Sequence, residues 1–136
     1  MIIKLSEIID AIDFTDQFSE YFLDRVTGEV IQVNDMIMTS KEKEEIYDRL
    51  DEHGFYRLPD SRDIDDYRTM ESFIFTLTGA VADRLSNAIS GRGAFRRFKD
   101  TIRSMGLEDQ WYEYQEAAHR NLAIRWCETN DLEWEE

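Results

Sequence analysis

From Asp63 to about residue 129, the apolar residues of this 136-residue chain recur at three- and four-residue spacing, and Gly79, Gly91, Gly93 and Gly106 cut that rhythm into pieces. Such a period marks amphipathic helices, and glycine is the residue that ends them at least steric cost. Tyr67, Met70, Ile74 and Leu77 set the first piece, with Asp63, Asp65 and Asp66 placed to complement the positive end of its dipole. Three more helices are predicted over about 80–90, 93–105 and 108–129.

The first half reads differently. Leu5, Ile8, Ile9 and Ile12 predict a short helix over 6–14 with Ser6 as its N-cap. Tyr21-Phe22-Leu23 and Val30-Ile31-Gln32-Val33 are β-rich runs around Thr27-Gly28, which predicts a hairpin. Thr39-x-x-Glu42 forms a capping box ahead of Ile46 and Leu50, and Gly54 supplies the stop, so a helix is predicted over 40–53. Phe55 to Pro59 is predicted to be a third strand laid on the hairpin, and Glu133 to Glu136 only a short acidic end. The expected fold is therefore α+β: a short N-terminal helix, a small antiparallel sheet of about three strands, then a mainly helical C-terminal half. With no repeat and no linker, a single domain over 1–136 is expected.

The chain carries 30 Asp and Glu against 16 Lys and Arg, a net charge of −14, yet 42% of its residues are hydrophobic, enough to offset chain entropy. Its single cysteine, Cys127, has no partner for an intramolecular disulfide, which points to a reducing cytoplasm. Met1 to Phe14 interleaves isoleucine with Glu7, Asp10 and Asp13, unlike a signal peptide, and the longest uncharged run, Ser72 to Ala82, is shorter than the roughly 20 residues a membrane helix needs. No membrane partner is expected.

Three segments stand out together: Tyr21-Phe22-Leu23-Asp24-x-x-Thr27-Gly28-Glu29-Val30, Gly91-x-Gly93-Ala94-Phe95-Arg96-Arg97-Phe98-Lys99-Asp100, and Trp111-Tyr112 with Trp126 downstream. Over about Phe14 to Leu132 the chain thereby resembles the bacterial uncharacterised protein family 0158. The resemblance implies no activity, substrate or catalytic residue that can be carried over.

The main candidate site is electrostatic. Residues 91–103 hold Arg92, Arg96, Arg97, Lys99 and Arg103 against Asp100 alone, a local +4 that leaves −18 on the other 123 residues. On a helix, Arg92, Arg96, Lys99 and Arg103 share one stripe, while Phe95, Phe98, Ile102 and Met105 share another predicted to pack in the core. Arginine forks after Gly91-x-Gly93 suit a phosphate or carboxylate, but they equally suit the chain's own surplus acids, and that intramolecular pairing is the favoured expectation.

The other constellations read as structural. Glu116-x-x-His119 is half of a di-iron pattern, and His53 is the only other imidazole, so neither metal nor cofactor is expected. Cys127 is expected to be buried and inert. Trp111, Tyr114, Ala118 and Leu122, widened by Tyr112 and Trp126, are expected to be core rather than a base-stacking face, and Asp24-x-x-Thr27-Gly28 to be a turn. The leading functional expectation is a non-enzymatic interaction or regulatory module with a macromolecular partner. Beside it stand a binder of phosphate-bearing ligand or nucleic acid through residues 92–103, an enzyme whose carboxylate site the sequence does not localise, and a nucleic-acid mimic using the acidic face. An exposed sheet edge leaves homodimerisation open.

Overall fold

The computed structural model describes all 136 residues. Its strands and helices are β1 (Ile2–Lys4), α1 (Leu5–Phe14), β2 (Ser19–Asp24), β3 (Val30–Asn34), α2 (Ser40–His53), β4 (Phe55–Arg57), α3 (Ser61–Ile64), α4 (Asp66–Phe75), α5 (Gly79–Ala88), α6 (Ala94–Ser104), α7 (Glu108–Thr129) and β5 (Glu133–Glu135). The fold class is α+β, with a three-stranded antiparallel sheet and a helical second half. The contacts resolve two compact units: unit 1, Met1–Ile64 with His119–Glu136, and unit 2, Asp65–Ala118.

Unit 1 is built around β2. The antiparallel sheet has the order β3-β2-β4, with Phe22 opposite Ile31 and Leu23 opposite Val30. Successive side chains of a strand point to opposite faces. Leu23 accordingly joins Leu5, Ile8 and Ile12 of α1 and Trp126 and Cys127 of α7, whereas Phe22 joins Ile31, Val33 and Leu50 on the other side. The Trp126 indole N–H donates to the Arg57 carbonyl at 2.8 Å, so the end of α7 is tied to β4. The α2 capping box forms as its residue types require: Thr39 Oγ1 accepts from Glu42 N–H, and the Glu42 carboxylate accepts from Thr39 N–H.

Two expectations for this unit are corrected. Ser6 is not an N-cap: β1 runs directly into α1, Lys4 occupies the cap position without a side-chain bond, and strand pairing already fixes the chain there. The acidic tail is not unstructured, because Glu133–Glu135 forms β5 and pairs in parallel with β1, Ile2 opposite Glu133 and Ile3 opposite Trp134.

Unit 2 packs Met70, Phe73 and Ile74 of α4, Leu85 of α5 with Ile89 just after it, Ala94, Phe98 and Ile102 of α6, and Trp111 of α7 into one core. The Phe98 ring meets Trp111 edge-on at 4.8 Å between centroids, and Phe73 lies 5.4 Å from Trp111, an arrangement aromatic quadrupoles favour. The helix predicted to start near Asp63 instead breaks at Asp65. That residue sits in the left-handed region at φ 48, a conformation Asp tolerates better than most side chains, and its carboxylate caps α4 by accepting from Arg68 N–H at 3.2 Å.

Phe95 corrects the predicted core stripe. Phe98 and Ile102 are buried, but Phe95, one turn earlier, is 50% exposed. Phe98 has Phe73 and Trp111 against it, whereas Phe95 lines an open cleft.

Candidate functional site

Unit 2 has nine acidic and seven basic residues, a net of −2, whereas unit 1 has 21 and nine, a net of −12. Five of the seven cations of unit 2 are the residues the sequence singled out. Four belong to one stripe. Arg96, Lys99 and Arg103 rise along the exposed side of α6, and Arg92 lies in the turn before it. Arg103 Nε is 4.0 Å from Glu108 Oε1, and Arg92, Arg96 and Lys99 make no ion pair.

Arg97 is separated from that stripe by what it touches. Its Nε donates to the Ala88 carbonyl at 2.8 Å, Nη2 to the Ser90 carbonyl at 2.5 Å, and Nη1 to the Arg92 carbonyl. These oxygens belong to the last turn of α5 and the segment after it, where helical carbonyls run out of intrahelical partners. A planar five-donor fork can satisfy several at once. Gly93 caps α6 at φ 75, and a Cβ there would come within 3.0 Å of Arg97 Nη1, so this glycine serves both the turn and the close approach of the guanidinium.

Beside the stripe lies a cleft of ≈ 320 Å³ whose lining includes Phe95, Lys99, Arg103, Tyr112 and Gln115, with Asp66 and Glu108. Tyr112 is 59% exposed. It departs from the expectation of a core aromatic face, which Trp111 and Trp126 do meet. Two water-exposed rings, two cations, two carboxylates and an amide thus converge on one small concavity. Such a surface can stack a planar group while holding both anionic and hydrogen-bonding substituents.

Unit 1 contains a polar node that the sequence showed only as a turn. The Asp24 side chain is fully buried. Its Oδ1 accepts from Val26 N–H at 2.8 Å and Thr27 N–H at 3.0 Å, and its Oδ2 accepts from Arg49 Nε at 3.0 Å and His53 Nδ1 at 2.7 Å. Burial works against the carboxylate, but these donors outweigh it and hold the carboxyl well below its usual range. The turn is real, closed by Gly28 N–H on the Asp24 carbonyl at 2.9 Å. What sequence reading missed is that α2 returns Arg49 and His53 to it. The one available signal was their i, i+4 spacing, which puts both on one helix face. With Nδ1 on Asp24, only Nε2 of the His53 ring is left for another partner. His53 does not line the cleft beside the basic stripe.

The second imidazole is also paired in unit 1. His119 is buried, its Nδ1 is 2.6 Å from Asp13 Oδ1, and its Nε2 has no hydrogen-bond partner. Glu116 is exposed. Cys127 is fully buried, and burial, with the Glu128 charge, pushes its thiol up, away from the thiolate that a nucleophile needs. No helix is long and apolar enough to cross a membrane.

The uncharacterised protein family UPF0158 matches residues 1–135, so the chain belongs to that family. No curated protein and no solved structure matches it.

Proposed function

We propose that this UPF0158 chain is a non-enzymatic interaction module that docks an anionic ligand on the α6 side of unit 2. The observation that carries the reading is that three of the four stripe cations, Arg92, Arg96 and Lys99, stand together unpaired in a protein with 30 acidic residues. Unit 1 pairs four of its nine cations, Lys43 with Asp35, Arg49 with Asp24 and Glu29, Arg57 with Glu20 and Asp60, and Arg120 with Glu136, and its other five are not gathered on one helix. A domain under its own negative field gains by such neutralisation. Arg92, Arg96 and Lys99 forgo it, and one concentrated patch of positive charge on an otherwise acidic molecule steers a polyanion to a single place. A single buried cysteine fits a reducing cytoplasm as the compartment.

Retention on immobilised heparin at low salt tests the reading. The parent should be held despite its net charge of −14 and elute as salt rises, while the double variant Arg96→Glu, Lys99→Glu flows through with an unchanged melting temperature. A parent that flows through at low salt rules the reading out.

A further inference from the structure

We infer that the anionic ligand is a single-stranded nucleic acid, with one base stacked in the cleft of Phe95 and Tyr112 and its phosphates along the α6 cations; this rests on the docking face proposed above. Phe95 and Tyr112 expose 50% and 59% of their surface and line the same cleft. Exposed rings beside cations are the means by which proteins hold unpaired bases without reading their sequence. At ≈ 320 Å³ the cleft lies at the small end of ligand sites, a size suited to one planar ring rather than a folded segment.

The mixed charge of the cleft separates this ligand from an acidic peptide. A peptide carboxylate meets Lys99 and Arg103 well, but it is repelled by Asp66 and Glu108 in the same lining. A base edge presents donors as well as acceptors, so the carboxylates and Gln115 find partners there while the cations meet phosphate. From Arg96 to Arg103 the helix rises about 10 Å at 1.5 Å per residue, and Arg92 extends the line, so more than one phosphate is reached. A duplex keeps its bases stacked and out of the cleft.

Fluorescence anisotropy with the intact protein at low salt decides the matter, using labelled oligouridine and oligothymidine of about ten nucleotides, a duplex of the same length, and polyglutamate. Both single strands should bind, with the duplex and polyglutamate about tenfold weaker or worse. Tightening on oligouridine relative to oligothymidine assigns RNA through its 2′-hydroxyls, and equal binding assigns either strand. Phe95→Ala and Tyr112→Ala should each weaken binding roughly 5- to 150-fold without lowering the melting temperature, and Tyr112→Phe should retain it. Polyglutamate bound as well as the single strands, or strands bound equally by both alanine variants and the parent, overturns the inference. If heparin still retains the parent in that case, docking of an anion survives and only its chemistry was wrong. If retention fails too, both fall together.

Discussion

The two units of this chain handle charge in opposite ways. Unit 1, at −12, ties four of its nine Lys and Arg side chains to carboxylates: Arg49 meets the buried Asp24, and Arg120 pairs at the surface with Glu136 beside Trp134, whose ring lies 6.0 Å from the guanidinium. Its own cleft of ≈ 410 Å³ is lined by Glu7, Asp10 and Glu29 with no cation. Unit 2, at −2, turns Arg97 alone onto its backbone and leaves its other α6 cations facing solvent. The lesson is that overall composition hides local charge: what sets the α6 side apart is that its unpaired cations share one face.

The contrast can be broken in four ways. The largest effect belongs to Phe98→Ala, which should destabilise unit 2 by about 3–5 kcal/mol, while Phe95→Ala changes it by no more than about 0.5 kcal/mol. Urea denaturation read by hydrogen exchange in each unit separates them. Equal costs would mean that Phe95 is core after all.

Next comes acid. Asp24 carries a depressed carboxyl in the folded state, so its contribution is complete above its ordinary value of about 3.9 and drains away as pH falls through the lower folded value. Asp24→Asn should therefore be less stable than the parent at neutral pH, with the gap closing below about pH 4. Urea midpoints from about pH 7 down to about pH 3 measure this. A gap independent of pH would remove Asp24 from the acid response of unit 1.

Arg97→Lys should cost about 1 kcal/mol, because an ammonium cannot span the three carbonyls that the guanidinium fork engages. A lysine variant melting like the parent would show those bonds to be dispensable. Smallest of all, Arg96→Glu and Arg103→Glu should each shift stability by no more than about 0.5 kcal/mol, and the Arg103 variant alone should regain part of its loss in salt, since only it has a carboxylate within 4.0 Å. A larger, salt-sensitive loss at Arg96 would place that residue with the paired cations of unit 1.

Much of the fold was legible because its signals are local. The capping box Thr39/Glu42, the stop at Gly54 and the hairpin around Gly28 each depend on residues within a few positions of one another, and each stands where the sequence put it. The elements that were not legible are joined over long separations. β1 and β5 are three residues each, and nothing in either names the other. Asp24 carries turn chemistry whether or not Arg49 and His53 return to it. At the candidate site, the basic stripe was visible from helical spacing, but Phe95 and Tyr112 were not. The period that places a ring on the core side says nothing about whether another element reaches far enough to cover it. Arg97 was grouped with the other cations because charge is readable in a sequence and backbone carbonyls in need of donors are not.

The pairing of β1 with β5 also bears on how the protein is made. On a ribosome adding roughly 5–20 residues per second, Ile2 leaves the exit tunnel long before Glu133 exists, so β1 waits roughly 7–26 seconds for its partner. The α1 face shares that delay, because Ala123, Trp126 and Cys127, which pack against it, are translated more than a hundred residues after it. Residues 65–118, one uninterrupted stretch, find all of their core partners within that stretch. Ile3 and the apolar face of α1 thus wait longer for their partners than any core residue of 65–118 does.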